Sequence, residues 1–133
     1  MVPHRIRILF SEDHPDTREM TCLILEREGF EVVCGDTSYS VIELAQNERF
    51  DAYLLDTWTP GLSGFEVCRQ IREFDSHTPI IFYSAAVYDA DKLKAMAAGA
   101  QAYVSKPAAI EDLVKTIRQT IQESTTSKAV SAN

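Results

Sequence analysis

A single α/β domain, with one parallel sheet covered by helices on both faces, is the fold class that this sequence predicts. Three observations predict it. Short apolar runs alternate with longer amphipathic segments along the chain, the pattern of repeated strand–helix–strand units. Pro and Gly residues punctuate many of the joins, as turns require. The 133 residues suffice for one buried core and leave no room for a second domain.

The elements follow in order. Ile6-Arg7-Ile8-Leu9-Phe10 is the first strand and runs into Ser11-Glu12-Asp13. Pro15 suits the first turn of a helix, in which Met20, Leu23, Ile24 and Arg27 recur at helical spacing. Gly29 ends that helix, because a left-handed cap is cheap only without a Cβ. Glu31-Val32-Val33-Cys34 is a short second strand. A second helix fits Tyr39 to Glu48, burying Val41, Ile42, Leu44 and Ala45, with Ser38 as its cap. Ala52-Tyr53-Leu54-Leu55 then runs into Asp56, and the Pro and Gly residues of Thr57 to Gly64 mark a loop. The third helix carries Phe65, Val67, Cys68, Ile71 and Phe74 as its apolar positions. Pro79 opens a fourth strand, Ile80-Ile81-Phe82-Tyr83, which stops at Ser84. Asp89 to Ala98 is a short fourth helix closed by Gly99. The fifth strand, Ala102-Tyr103-Val104, leads into Ser105, Lys106 and Pro107. A last helix starts near Ala108 and carries the stripe Ile110, Leu113, Val114, Ile117 and Ile121. The domain is expected over residues 1–123. From Ser124 the chain is Ser, Thr, Ala and Asn without periodicity, so residues 124–133 are expected to be a disordered tail.

Composition bounds the function. The chain is 45% hydrophobic and 25% charged, ordinary for a globular protein. Its net charge of -7, from 13 basic and 20 acidic side chains, repels phosphate backbones, so no nucleic-acid partner is expected. The apolar runs are too short for a signal peptide or a membrane span, which points to a cytoplasmic protein without membrane contact. Cys22, Cys34 and Cys68 are odd in number, widely spaced and without a CxxC pattern. They read as three reduced, mostly packed thiols.

Four of the apolar runs end on chemistry-bearing residues: Glu12 and Asp13, then Asp56, Ser84 and Lys106. Parallel strands bring such ends to one edge of the sheet. In the flavodoxin-like strand order 2-1-3-4-5, ligands bind outside the carboxyl ends, where the order reverses. That order sets Glu12 and Asp13 beside Asp56, with Ser84 and Lys106 on the opposite flank. Three close carboxylates raise one another's pKa unless a cation sits among them, and hard oxygen donors of this kind suit Mg²⁺. Asp56 is then a candidate nucleophile able to accept a phosphoryl group. Lys106 and Ser84 would donate to the transferring oxygens while the metal offsets their charge. Singly, each residue has an ordinary explanation as a turn residue, a cap or a surface lysine. Their coincidence on four strand ends argues for function.

In this order and spacing, the residues resemble a response-regulator receiver domain of bacterial two-component signalling, in a single-domain, chemotaxis-regulator-like form. The resemblance rests on Glu12-Asp13, the segment from Asp56 to Gly64, the pair Ser84-Ala85, and the segment from Gly99 to Pro107. It spans roughly Arg5 to Glu123. It implies that Asp56 accepts a phosphoryl group from a sensor histidine kinase or a phosphotransfer protein. Glu12, Asp13, Asp56 and the backbone carbonyl of Trp58 would hold Mg²⁺, and Lys106 would contact the acyl phosphate. A cis peptide is implied before Pro107, where cis costs little; a plain helix-start proline fits the same position. Ser84 would move toward the phosphate past the short side chain of Ala85, and Tyr103 would turn inward. Tyr103 also has a simple core reading. The surface of the fourth helix, fifth strand and fifth helix would then change for a downstream protein target, in a monomer or a phosphorylation-dependent dimer.

Thr57 and Thr59 depart from the family's usual aliphatic residues, and Trp58 is bulky where an attacking water would approach. Trp58 is therefore expected to influence phosphoryl lifetime. Two other functions compete. A hydrolase using an aspartyl phosphate would need an acid where Trp58 stands. A phosphate-independent binding module would not need the acceptor, the acidic pair or the lysine. A flavin role is weaker, since no phosphate loop follows the first strand. The chain ends soon after the fifth helix and begins with a short natural-looking leader, so the expectation is a stand-alone regulator or relay intermediate.

Overall fold

The computed structural model describes residues 5–86, 88–106 and 110–131, with side chains to residue 125. Its strands are β1 (Arg7–Ser11), β2 (Glu31–Gly35), β3 (Ala52–Leu55), β4 (Ile80–Ser84) and β5 (Ala102–Ser105). They alternate with α1 (Pro15–Arg27), α2 (Ser38–Asn47), α3 (Gly64–Phe74), α4 (Asp89–Ala98) and α5 (Ile110–Ser131). The five strands form one sheet in the order β2-β1-β3-β4-β5, with every pairing parallel. The predicted fold is borne out.

Strand alternation divides the core in two. Leu9, Tyr53, Leu55, Ile80 and Phe82 face α2, α3 and α4, which contribute Val41, Ile42, Ala45, Val67, Cys68, Ile71, Ala95 and Ala98. Ile8, Phe10, Ala52, Leu54, Ile81 and Tyr83 face the other way, onto Leu25 of α1 and Leu113, Val114 and Ile117 of α5. All of β3 and β4 is buried, as expected of central strands covered on both sides. Register levels the carboxyl ends: Ser11 pairs with Gly35, Leu55 with Phe82, and Ser84 with Ser105.

Two local expectations need correction, and the buried face of α1 is left open by the sequence. Helical spacing correctly marked α1, but Met20 and Leu23 are exposed; the helix buries Thr21 and Leu25 instead. The helix is recognised by period, while its orientation is set by what β2 and α5 offer. Thr37, not Ser38, caps α2, accepting from the Ser40 N–H in a capping box. Ser38 is fully buried; its Oγ donates to the Pro60 carbonyl at 2.9 Å and accepts from Leu62 N–H at 2.5 Å. It fastens the loop after β3. Finally, α5 continues to Ser131, past the Ser124 at which the helix was expected to stop. Thr120 and Thr125 bond carbonyls one turn back, so these hydroxyls are accommodated within the helix rather than ending it. Gly29 does follow α1 with φ 97°, as its cap role requires.

The amino ends of the strands are tied together by permanent partners. Arg7 pairs with Glu31 and Glu48 and donates to the Arg49 carbonyl. Asp75, the C-cap of α3, accepts from Tyr53 Oη at 2.8 Å and from the His77 and Thr78 N–H groups at 3.1 and 3.0 Å. Burial alone would raise its pKa, but these bonds and the Thr78 hydroxyl outweigh it and hold the carboxyl down at about 2. A depressed carboxyl pKa contributes stability above the ordinary carboxylate range that is lost as pH falls through the folded value. Asp75→Ala is therefore expected to lower stability by about 1–3 kcal/mol near neutrality. In urea titrations, the gap from wild type should narrow between about pH 4 and pH 2; a pH-independent gap would contradict the assignment.

Candidate functional site

Four of the five carboxyl strand ends deliver a side chain, and a run of polar contacts crosses the sheet. Glu12, just past β1, is 3% exposed. Its carboxylate accepts from Lys106 Nζ, just past β5, at 2.7 Å. The same ammonium lies 3.3 Å from Asp56 Oδ2, at the end of β3, and 5.0 Å from the centre of the Tyr83 ring. Lys106 is placed by its own N–H, which donates to the Ser84 carbonyl at 2.7 Å. Glu12 is placed through its backbone, since its N–H donates to Gly35 and its carbonyl accepts from Arg18.

Burial acts to lower the Lys106 pKa, but the bond to Glu12 and the charges of Asp56 and Glu12 overcome it, so the ammonium is held above its ordinary range. It is a fixed cation at neutral pH. Asp56 Oδ1 takes two longer bonds, 3.4 Å each, from the Thr57 hydroxyl and the Trp58 N–H. Thr57 Oγ1 in turn lies 2.7 Å from Ser84 Oγ, and Ser84 Oγ accepts from Ala86 N–H at 3.2 Å. Tyr103 completes the run: its hydroxyl donates to the Ala86 carbonyl at 2.7 Å, and its ring stacks on Phe82, 6.0 Å between centroids. Burial pushes the Tyr103 phenol upward, against the pull of Ser84 and with help from the charges of Asp91 and Asp56, so it stays a donor.

The structure thus brings Glu12, Asp56, Lys106, Ser84 and Tyr103 onto one edge. Asp13 stands exposed beyond Glu12, and Ala85 is exposed between Ser84 and Ala86. Pro107 lies outside the described residues. The expected gathering of three carboxylates is not formed: among the described residues, no three His, Cys, Asp or Glu side chains are close enough to cage a metal ion. Lys106 supplies the counter-charge between Glu12 and Asp56 instead. The donors still fit Mg²⁺, which typically takes one or two carboxylates and fills its shell with water. Sequence reasoning missed Thr57 as the partner of Ser84, although a hydroxyl in an aliphatic position was the signal.

The loop after Asp56 is held by packing. Thr59 is fully buried, Ser63 caps α3 by accepting from Glu66 N–H at 3.2 Å, and Gly64 N–H donates to Thr57 at 2.8 Å. Trp58 bridges to Ser63 while its side chain remains 66% exposed at the rim.

Comparison with known proteins matches residues 8–118 to the family model described as response regulator receiver domain. The chain belongs to this family. Receiver domains are signalling modules rather than conventional enzymes. This receiver is 40% identical over 115 residues to the transcriptional regulatory protein CseB of Streptomyces coelicolor, covering 86% of this chain and 49% of that protein. The chain spans about half the length of the curated relatives it matches. Among solved structures, it is similar to a CheY-like receiver domain protein from Methanospirillum hungatei, with 27% identity, a TM-score of 0.88, and coverage of 93% and 99% of the two chains. The receiver domain of sensor histidine kinase PA1611 from Pseudomonas aeruginosa, which has a magnesium ion in its active-site cleft, gives 26% identity and a TM-score of 0.83, with 90% and 99% covered. The expectation of no nucleic-acid partner rests on charge alone, while CseB is named for transcription. Among the described residues, no helix is long and apolar enough to cross a membrane.

Gly64 sets the distance between α3 and Asp56. A Cβ there would lie 1.9 Å from the Asp56 carbonyl oxygen and 3.0 Å from the Phe82 ring. Backbone rather than a flexible side chain would have to yield. Gly64→Ala is expected to cost about 2–3 kcal/mol in chemical denaturation, and a neutral result would contradict this packing.

Proposed function

We propose that this receiver accepts a phosphoryl group on Asp56, with Mg²⁺, from the phosphohistidine of a sensor histidine kinase or phosphotransfer protein. The single observation that carries the reading is the continuous run from Glu12 through Lys106 and Asp56 to Thr57 and Ser84. It surrounds one partly exposed carboxylate with a fixed cation and hydroxyl donors. An Asp56 carboxylate oxygen would attack phosphorus as the bond to the donor imidazole breaks, leaving neutral histidine on the donor after protonation and an acyl phosphate on Asp56. Glu12, Asp13, Asp56 and the Trp58 carbonyl would hold Mg²⁺, which supplies positive charge against the phosphoryl oxygens.

The chain's own donors do the rest. Lys106 exchanges its Asp56 contact for a phosphoryl oxygen while keeping Glu12. Ser84 exchanges Thr57 for another oxygen, a charge-assisted bond stronger than the hydroxyl pair it replaces. Because Ala86 N–H is bonded to Ser84 and the Ala86 carbonyl to Tyr103, movement of Ser84 pulls on both. The strain passes to α4, where Leu93 and Met96, with Tyr88 at the N-cap, are exposed and would meet a downstream protein target. A hydrolase on this site would lack its acid, since Trp58 carries no proton-transfer group.

The test is incubation with a small acyl-phosphate donor, with and without Mg²⁺, followed by intact mass measurement. A single phosphoryl adduct that needs Mg²⁺ and disappears in Asp56→Asn is expected. Absence of an adduct under every condition would overturn the reading in favour of phosphate-independent binding. Once the adduct is formed, Trp58→Asn is expected to alter its decay, because the exposed indole at the rim obstructs the approach of water. Identical decay in variant and wild type would remove Trp58 from that role.

A further inference from the structure

We propose that Cys22 and Cys34 are an oxidation site: a vicinal dithiol that closes reversibly to a disulfide and clamps α1 onto the edge strand β2. The sequence suggested three unrelated thiols, and all three cysteines are free. The fold nevertheless sets the two sulfurs 2.6 Å apart. That separation is nearer to a covalent sulfur–sulfur bond, about 2.05 Å, than to an ordinary non-bonded contact.

The backbone explains the meeting. Cys34 is paired in register with Phe10 and, with Val32, packs toward the α1 and α5 side of the sheet. Cys22 lies one residue beyond buried Thr21 and packs against the same cluster. Since β2 is the outermost strand, the pair sits at the rim of the core, and both side chains are partly exposed. An oxidant can therefore reach them, unlike buried Cys68.

The charge environment assigns roles. Arg18 and Glu26 flank Cys22 by one turn on either side along α1. The bond from Cys22 and the charge of Arg18 draw the Cys34 thiol below its ordinary pKa, against burial and Glu26. The Cys22 thiol is pushed up, by its bond to Cys34 and then by burial. A partly exposed thiolate beside a guanidinium is the setting of reactive cysteines. With a peroxide as oxidant, the Cys34 thiolate attacks one peroxide oxygen and releases hydroxide, giving a sulfenic acid. The Cys22 sulfur then attacks the Cys34 sulfur and water leaves. Two thiols and one hydrogen peroxide become one disulfide and two waters. A dithiol reductant reverses the step.

The experiment uses the full chain, reduced and then treated briefly with hydrogen peroxide. Unreacted thiols are alkylated in denaturant before mass measurement. Reduced protein should take three alkyl groups, one for each cysteine, and oxidised protein one. Trypsin cuts at Arg18, Arg27 and Arg49, so the oxidised sample should yield peptide Glu19–Arg27 joined to Glu28–Arg49. The joined species should vanish with dithiothreitol and in Cys22→Ser. Oxidised wild type should also melt on the order of 10 °C above reduced wild type, from constraint of the unfolded chain. Three alkyl groups after peroxide, stepwise over-oxidation of one cysteine without linkage, or disulfides only between molecules would each overturn the proposal.

Discussion

One ammonium held between two carboxylates is the interaction on which the site depends. Lys106 comes from the end of β5, Glu12 from β1 and Asp56 from β3, so the triad exists only because the parallel register ends these strands level. Unit charges 4 Å apart are worth about 4 kcal/mol at the effective dielectric of a protein surface, and the desolvation of Glu12 opposes part of that gain. Burial would on its own discourage a charged lysine. Its upward shift means that the two carboxylates win. Without Lys106, Glu12 would be a nearly buried charge with no cation bonded to it.

A hydroxyl pair, Thr57 and Ser84, lies next to that triad. An aliphatic residue at position 57 would offer the Ser84 hydroxyl no side-chain oxygen to bond. Here Thr57 engages Ser84 at 2.7 Å and holds it on the Asp56 side of the sheet. In the proposed reaction a phosphoryl oxygen would have to compete with that bond, yet would find the hydroxyl already nearby. The Tyr103 hydroxyl fixes the Ala86 carbonyl from the other side. Four consecutive strand-end features are therefore coupled by bonds short enough that shifting one disturbs the next. Coupling of this kind is what the proposed switch would use.

The architecture and the residues at the strand ends were legible in the sequence because both follow from period and punctuation. Alternating apolar runs determine the sheet, and the residue at each run's end must lie on the carboxyl edge. Orientation was not legible. Met20 and Leu23 lie on the solvent side of α1 although their spacing is helical, because the neighbouring elements choose the buried stripe. Ser38 looked like a cap, but Thr37 took that role and left Ser38 to bind the loop after β3, a contact 22 residues away. The closeness of Cys22 and Cys34 could not be read from spacing, since it depends on how α1 lies across β2. The charge logic of the site was half legible: a cation was expected among the carboxylates, and the chain supplies one from its own β5.

The two edges of the sheet use charge in opposite ways. At the amino ends, Arg7 is matched by Glu31 and Glu48, and Asp75 by a set of short hydrogen bonds. Those partners belong to the fold. At the carboxyl ends, Glu12 and Asp56 share the single ammonium of Lys106 while Asp13 stands exposed beyond Glu12, so these four side chains carry more negative than positive charge. A divalent cation would offset that excess, and in the proposed reaction a phosphoryl group would then bring negative charge back for Lys106 and Ser84 to meet. The edge left electrostatically incomplete by its own chain is the one at which the proposed chemistry would take place, and the completed edge anchors it.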